Sequence, residues 1–144
     1  MILYKTLLGV LLFSTVNYTA AIDTVKYSNN VTCLAETLYR ESRGEPLRGK
    51  LAVGQVVVNR VKNSNYPDNI CAVVFQKAQF SWTKDFKRFV APNYYRQLAI
   101  KIISGTHELS HFTATHFHAR YVSPGWKNNL TKVATIGNHI FYKL

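Results

Sequence analysis

Residues 47–62 restrict the fold of this chain more than any other segment, because they are apolar on nearly every face of a helix. Such a helix is usually surrounded by other elements, so the segment predicts a central, buried helix. Gly54 inside it indicates close packing against a neighbour, since glycine costs a helix about 1 kcal/mol relative to alanine. Gly44 and Pro46, just before it, are typical of a helix end followed by a helix start. The apolar members are Leu51, Ala52, Val53, Val56, Val57, Val58 and Val61.

The other elements follow from apolar periodicity and turn residues. Asn29 and Asn30 are expected to open the first helix, and Asp68 or Asn69 to cap a short third helix. The pattern predicts one α+β domain, mainly α, with a small β element. The predicted elements are helices at 31–43, 47–62, 70–75 and 93–104, an irregular loop at 76–88, a strand or hairpin at 113–122, and a short strand at 136–142.

Residues 1–21 are typical of an export signal rather than of the folded domain. Lys5 supplies a positive start, residues 7–16 form an apolar run of about ten residues, and Thr19-Ala20-Ala21 offers small residues for cleavage. We therefore expect a signal peptide at 1–21 and a single catalytic domain at 22–144. The alternative is an uncleaved N-terminal anchor.

The charge balance indicates a polyanionic partner. The chain carries 18 basic and 7 acidic residues, a net charge of +11, which attracts nucleic acid, anionic lipid or an anionic cell wall. It shows no nucleic-acid-binding motif, and an exported protein meets envelopes first. We expect a monomer that binds an anionic wall, without nucleic acid and without stable membrane association after signal cleavage.

Cys33 and Cys71 are the two cysteines of the chain. An even number in an exported protein favours a disulfide, and the alternative is two buried thiols. Neither has the neighbours of a catalytic nucleophile.

Glu41 is the leading candidate for acid–base chemistry. Leu34, Leu38, Glu41 and Glu45 follow one helical stripe, which places Glu41 at the edge of the core and in the last turn of its helix. Desolvation and the negative end of the helix dipole both disfavour a carboxylate. We therefore expect a raised pKa, as a general acid needs.

The alternative is that Glu41 and Glu45 pair with arginines on a solvated helix end. Arg40 and Arg43 would oppose a raised pKa if they reached Glu41, but sequence neighbours face different sides of a helix. Glu36 is off the apolar stripe and is expected at the surface.

The histidines offer a second chemistry. His107 to His111 matches the zinc pattern HExxH, which requires a helix so that both imidazoles share a face. Here it follows Gly105, a helix stop, and we expect no metal site. His116 and His118 alternate with apolar residues, so they face one side of a strand and either line a cleft or form hydrogen bonds within the sheet.

Eight segments in order resemble the cell-wall hydrolase and spore-cortex-lytic family of the SleB/CwlJ type. They are 35–46, 49–61, 66–67, 70–76, 79–82, 115–119, 122–126 and 136–141. The resemblance implies a lysozyme-like, lytic-transglycosylase-like domain that acts on peptidoglycan without a cofactor. It implies Glu41 as the catalytic acid, with Ser42, Glu45 and His118 as secondary candidates. The expected groove residues are Gln79, Ser81, His116, Tyr121 and Trp126.

The expected reaction is cleavage between N-acetylmuramic acid and N-acetylglucosamine. Glu41 protonates the leaving oxygen, and either the muramoyl 6-hydroxyl or a water attacks. Glu45 is expected to be a structural partner of a basic residue. The alternatives are an amidase or a zinc-dependent peptidase acting on the same wall, or a wall-binding module without activity. The size suits a phage lysis or wall-remodelling enzyme.

Overall fold

A computed structural model describes residues 13–77, 79–85 and 89–144. Within these residues, four α-helices surround or flank a common core, and a three-stranded antiparallel sheet packs against α2. The helices are α1 (Phe13–Ser42), α2 (Leu47–Val61), α3 (Ile70–Val74) and α4 (Asn93–Ile103), and the strands are β1 (His116–Ala119), β2 (Thr131–Ile136) and β3 (His139–Lys143).

Helix α2 is the centre of the fold, as predicted. It packs against α1, α3, α4 and the sheet, and its residues from Gly49 to Val57 are all buried. At Gly54, an added Cβ would lie 2.5 Å from Cδ1 of Ile102 and 3.2 Å from Cδ2 of Leu38. The glycine therefore allows α4 and α1 to approach α2 closely, which confirms the expected close packing.

Helix α1 is longer than the predicted 31–43. It includes Asn29 and Asn30, which therefore do not open it, because the segment from Phe13 to Ser42 contains no glycine or proline to interrupt a helix. Core packing nevertheless begins at Val31, and residues 19–29 are exposed. The helix ends at Ser42, so Glu45 lies beyond it and does not continue the stripe of Leu34 and Leu38.

The N-terminal prediction is only partly covered by the described residues. Residues 1–12 of the expected signal lie outside them, and residues 13–21 belong to α1. Within the described residues, no helix combines the length and apolar character that a membrane span needs.

The C-terminal segment differs from the single strand expected at 136–142. Ile136 ends β2 and His139 begins β3, with a turn at Gly137 and Asn138 between them. Gly137 has a φ of 58°, a conformation that glycine adopts at little cost. Strand β3 lies between β1 and β2 and pairs with both. The strand predicted at 113–122 is shortened to β1.

Short elements join this core. Asn69 caps α3 by accepting a hydrogen bond from the backbone N–H of Ala72 at 2.8 Å, which settles the choice between Asp68 and Asn69. The expected disulfide between Cys33 and Cys71 is present and joins α1 to α3, with the two Cα atoms 5.3 Å apart. The irregular loop after α3 contains a 3₁₀ turn at Ser81–Asp85.

Candidate functional site

A cleft of about 560 Å³ opens where the end of α1, the loop after α3 and the ends of β1 and β3 meet. Among the described residues that line it, Glu41 alone carries a carboxyl group. The lining residues are Arg40, Glu41, Arg60, Gln79, Phe80, Ser81, Phe117, His118, Ala119, Tyr121, Val122 and His139.

Glu41 lies in the last turn of α1 and is half-buried. Burial raises the pKa of its carboxyl group, because a low-dielectric setting disfavours the charge, and a hydrogen bond from the side chain of Trp82 partly opposes this rise. The predicted direction of the pKa shift is confirmed. At neutral pH, Glu41 therefore holds its proton more readily than an exposed glutamate does.

The two arginines beside Glu41 in sequence are engaged elsewhere, as expected. Arg40 donates from Nη2 and Nε to Oε1 of Glu36, at 3.2 and 3.3 Å. The guanidinium of Arg43 lies over the ring of Tyr39. The prediction that Glu36 is a surface residue is wrong: it is 4% exposed, because its carboxylate enters the interior paired with Arg40.

Three of the predicted groove residues line the cleft with Glu41. Gln79 and Ser81 come from the loop after α3, and Tyr121 follows β1. The side chain of Tyr121 is 90% exposed, so it is available to a ligand. His118 also lines the cleft, and its Nε2 lies 3.0 Å from the hydroxyl of Tyr142.

His116 and Trp126 are not among the residues that line the cleft. The rings of Trp126 and His116 are 5.5 Å apart, and those of Trp126 and His118 are 5.7 Å apart. The two histidines therefore share one face of β1, as predicted, and Trp126 packs on that face. Nε2 of His116 also lies 3.5 Å from the hydroxyl of Tyr66.

Ser42 does not point into the cleft. It is buried, and its hydroxyl donates to the carbonyl of Leu38 one turn back, at 2.6 Å. This bond satisfies the hydroxyl within α1, and Ser42, a secondary candidate, is not among the residues that line the cleft.

Glu45 holds the β2–β3 turn against the junction of α1 and α2. Its carboxylate accepts hydrogen bonds from the backbone N–H of Asn138 at 2.9 Å and from the side-chain amide of Asn138 at 3.1 Å. The expected contact with a basic residue is weaker than these hydrogen bonds. Nδ1 of His139 lies 4.0 Å from Oε2 of Glu45, and burial lowers the pKa of His139, which favours its neutral form. A Cβ at Gly137 would lie 1.9 Å from Oε2 of Glu45, so this approach requires glycine.

Replacing Glu45 tests this structural role. Glu45→Ala removes the carboxylate that accepts both hydrogen bonds from Asn138. Because hydrogen bonds to a charged group contribute about 1.5–3 kcal/mol, we expect a loss of about 2–3 kcal/mol in the free energy of unfolding, measured by urea denaturation. Glu45→Gln keeps one acceptor oxygen and should lose less, with catalytic rate retained in the folded fraction. A stable Glu45→Ala protein would contradict the proposed contact.

Sequence reasoning missed Arg60 and His139. Arg60 ends the apolar face of α2, where it is 5% exposed, and its Nε donates to the carbonyl of Thr115 at 2.7 Å. Its Nη1 is buried without a hydrogen-bond partner among the described residues. The sequence did contain one indication of Arg60, a charged residue within an otherwise apolar helix. Such a side chain is rarely buried unless it is paired.

The HExxH segment is not helical. Residues from His107 to His111 form bends and turns, so the two imidazoles do not share a helical face, as predicted. Nε2 of His107 lies 3.0 Å from Oε1 of Gln55. Within residues 13–77, 79–85 and 89–144, no three His, Cys, Asp or Glu side chains are grouped as metal ligands would be.

Most of the chain matches a known protein family. Residues 44–142 match the family described as Cell Wall Hydrolase. The chain belongs to this family. The resemblance in the sequence is thereby confirmed. Gln79, Ser81 and Tyr121 lie inside the matched residues of this cell wall hydrolase, whereas Glu41 lies just before them.

Curated and solved relatives agree with this assignment. The spore cortex-lytic enzyme of Oceanobacillus iheyensis is 30% identical over 116 residues, which are 80% of this chain and 42% of that protein. The chain spans less than half the length of the curated relatives it matches.

Two solved structures share the fold. The catalytic domain of the Bacillus cereus SleB protein matches with a TM-score of 0.71 and 26% identity, over 81% of this chain and 91% of that domain. The catalytic domain of the germination-specific lytic transglycosylase SleB from Bacillus anthracis gives 0.69 and 29%, over 80% and 94%. The predicted mainly helical, lysozyme-like fold is confirmed.

Proposed function

We propose that this cell wall hydrolase cleaves the glycan strand of peptidoglycan between N-acetylmuramic acid and N-acetylglucosamine, as a lytic transglycosylase. The observation that carries the proposal is Glu41, a carboxyl with a raised pKa in the cleft and without a second carboxyl among the described lining residues. A group that keeps its proton near neutral pH can donate it to a leaving oxygen. The match to the catalytic domain of a lytic transglycosylase supports the same reaction.

In the proposed reaction, Glu41 gives its proton to the glycosidic oxygen as the bond from that oxygen to C1 of the muramoyl residue breaks. The muramoyl 6-hydroxyl then attacks C1 and forms the new C–O bond, while its proton returns to Glu41. The product ends in a 1,6-anhydro ring, and no water is consumed. Most glycoside hydrolases place a second carboxylate near the scissile bond, but the nearby Glu45 carboxylate binds Asn138 instead.

Several cleft residues are suited to hold the glycan. The exposed ring of Tyr121 can stack on a sugar face, and Gln79 and Ser81 offer hydrogen-bonding groups beside Glu41. The net charge of +11 attracts an anionic wall.

We propose an exported location. The composition of residues 1–21 supports it, as does the disulfide, because disulfides persist in oxidising compartments. The periplasm, the cell wall and release during phage lysis all meet these conditions.

Mass spectrometry of the products from purified peptidoglycan tests the reaction. We expect fragments that end in 1,6-anhydromuramic acid and equal activity with and without a chelator. Reducing muramic acid ends would instead identify water as the attacking group and a muramidase. Released peptides with intact glycan strands would identify an amidase and contradict the proposal.

A further inference from the structure

A chain of side-chain contacts leads from a buried acid to the cleft. Arg40 forms an ion pair with Glu36, four residues earlier on α1, at 3.2 Å. The guanidinium carbon of Arg40 lies 4.8 Å from the ring centre of Trp82 and 5.6 Å from that of Phe89. Trp82 in turn hydrogen-bonds to Glu41. Glu36 is therefore connected to the carboxyl of Glu41 through one cation and one aromatic ring.

The position of Arg40 matters because it lines the same cleft as Glu41. An opposite charge within about 4–6 Å of a carboxyl group typically lowers its pKa by about 1–3 units. A guanidinium that turned toward Glu41 would therefore remove the proton that a general acid needs. In the structure, the guanidinium is instead directed to Glu36 and the face of Trp82.

The other charged and titratable groups around the cleft are held by contacts of their own. Arg60 of α2 donates to the carbonyl of Thr115. His118 of β1 lies within hydrogen-bond distance of the hydroxyl of Tyr142 and the carbonyl of Ala119. His139 of β3 faces Glu45.

Three further described groups lie on, or next to, the elements that form the cleft. Arg43 lies over Tyr39, Lys84 on the 3₁₀ turn is exposed, and the Tyr121 side chain extends into solvent. Of the two arginines described in the cleft lining, Arg40 is paired with a carboxylate and Arg60 with a backbone carbonyl.

We propose that Glu36 is a positioning residue for Glu41. It holds Arg40 on the face of Trp82, which keeps the guanidinium away from the Glu41 carboxyl and steadies the indole that binds this carboxyl. A buried ion pair often adds little net stability compared with apolar residues, so its contribution here is the direction of Arg40. The inference rests on the proposed role of Glu41 as the acid.

The test compares Glu36→Gln with the double variant Glu36→Gln/Arg40→Met. NMR titration of the Glu41 carboxyl carbon gives its pKa directly, and the pH dependence of kcat/KM on peptidoglycan gives its effect on cleavage. We expect Glu36→Gln to lower the pKa of Glu41 by about one unit, because the released guanidinium stabilises the carboxylate. The acid works protonated, so the alkaline limb of the profile should move to lower pH by the same amount.

The double variant should restore both values, because it removes the released cation as well as Glu36. Glu108→Gln is the matched control: it removes one acidic charge from an exposed position and should leave the titration of Glu41 unchanged. Circular dichroism establishes that each variant is folded. If Glu36→Gln does not fold, Glu36→Asp keeps the buried charge with a shorter reach and should shift the pKa of Glu41 in the same direction.

Two results would overturn the inference. One is a folded Glu36→Gln or Glu36→Asp protein in which Glu41 titrates as in the wild type. The other is a double variant in which the shift remains, since the effect would then not pass through Arg40. The NMR titration does not depend on activity. If Glu41→Gln stayed active, the proposed function would fail, while the titration would still decide the role of Glu36.

Discussion

Glu41→Gln is expected to reduce the rate of peptidoglycan cleavage by at least about 100-fold, and by up to about 10,000-fold, which is the usual contribution of a positioned general acid. Glutamine has nearly the same shape but no proton to give to the leaving oxygen. Of the described residues that line the cleft, none other carries a carboxyl group that could replace it. The release of soluble glycan fragments, followed by chromatography, measures the effect.

The same substitution should not weaken the fold. The pKa of Glu41 is raised in the folded state, so the stability that this group contributes is present at low pH and is lost as the pH rises through the folded-state pKa. Glutamine is neutral and avoids that loss. At pH 7, the variant should therefore unfold at the same or a higher urea concentration than the wild type.

Glu108→Gln serves as the control here too. It also replaces one glutamate by glutamine, and it should keep normal activity. A Glu41→Gln protein that cleaves the wall at a near-normal rate would show that another group donates the proton. An inactive variant that is also much less stable would show that Glu41 holds the fold together, contrary to its half-buried position at the cleft.

Local patterns were sufficient to predict much of this molecule from its sequence. The apolar run of α2 requires burial wherever it is placed, and Gly54 inside it could be interpreted as a packing position. The spacing of Leu34, Leu38 and Glu41 depends only on helix geometry, so it correctly placed Glu41 at the core's edge. Asp68 and Asn69 are both standard cap residues, so the sequence predicted a cap at this position, and the structure identifies Asn69 as the residue that provides it.

Contacts between distant segments were not predictable in this way. Glu36 pairs with Arg40, and Arg40 packs on Trp82 and Phe89, which come from the irregular segment between α3 and α4. The position of Glu45 depends on Asn138, which lies 93 residues later in the chain. Periodicity also could not reveal that Gly137 splits the last predicted strand.

Only some of the predicted groove residues line the cleft, because their positions also depend on contacts between distant segments. Tyr121, Gln79 and Ser81 adjoin the cleft because their loops end beside α1, a consequence of tertiary packing. Trp126 is aromatic and partly exposed like a sugar-binding residue, yet it packs on His116 and His118. Residue type alone cannot distinguish these two uses of an aromatic ring.

Loss of the Cys33–Cys71 disulfide should lower the free energy of unfolding by about 3–4 kcal/mol, because the bond closes a loop between residues 38 apart and so lowers the entropy of the unfolded chain. For a domain of this size, that corresponds to a fall in Tm of roughly 10 °C. Thermal unfolding followed by circular dichroism, with and without a reductant, measures the loss. The double variant Cys33→Ala/Cys71→Ala should match the reduced wild type.

The position of the bond also predicts what its loss leaves intact. It joins α1, whose last turn carries Glu41, to α3, which precedes the loop of Gln79 and Ser81, but neither cysteine lines the cleft. Below the lowered Tm, activity per folded molecule should therefore stay near that of the oxidised protein.

An unchanged Tm, with free thiols verified by labelling, would contradict the stabilising role of the disulfide. Activity lost at temperatures where the reduced protein is still folded would show that the link between α1 and α3 also sets the geometry of the cleft. The stabilisation exists only where the bond persists, so the same measurement tests whether the enzyme depends on an oxidising compartment, as the proposed export requires.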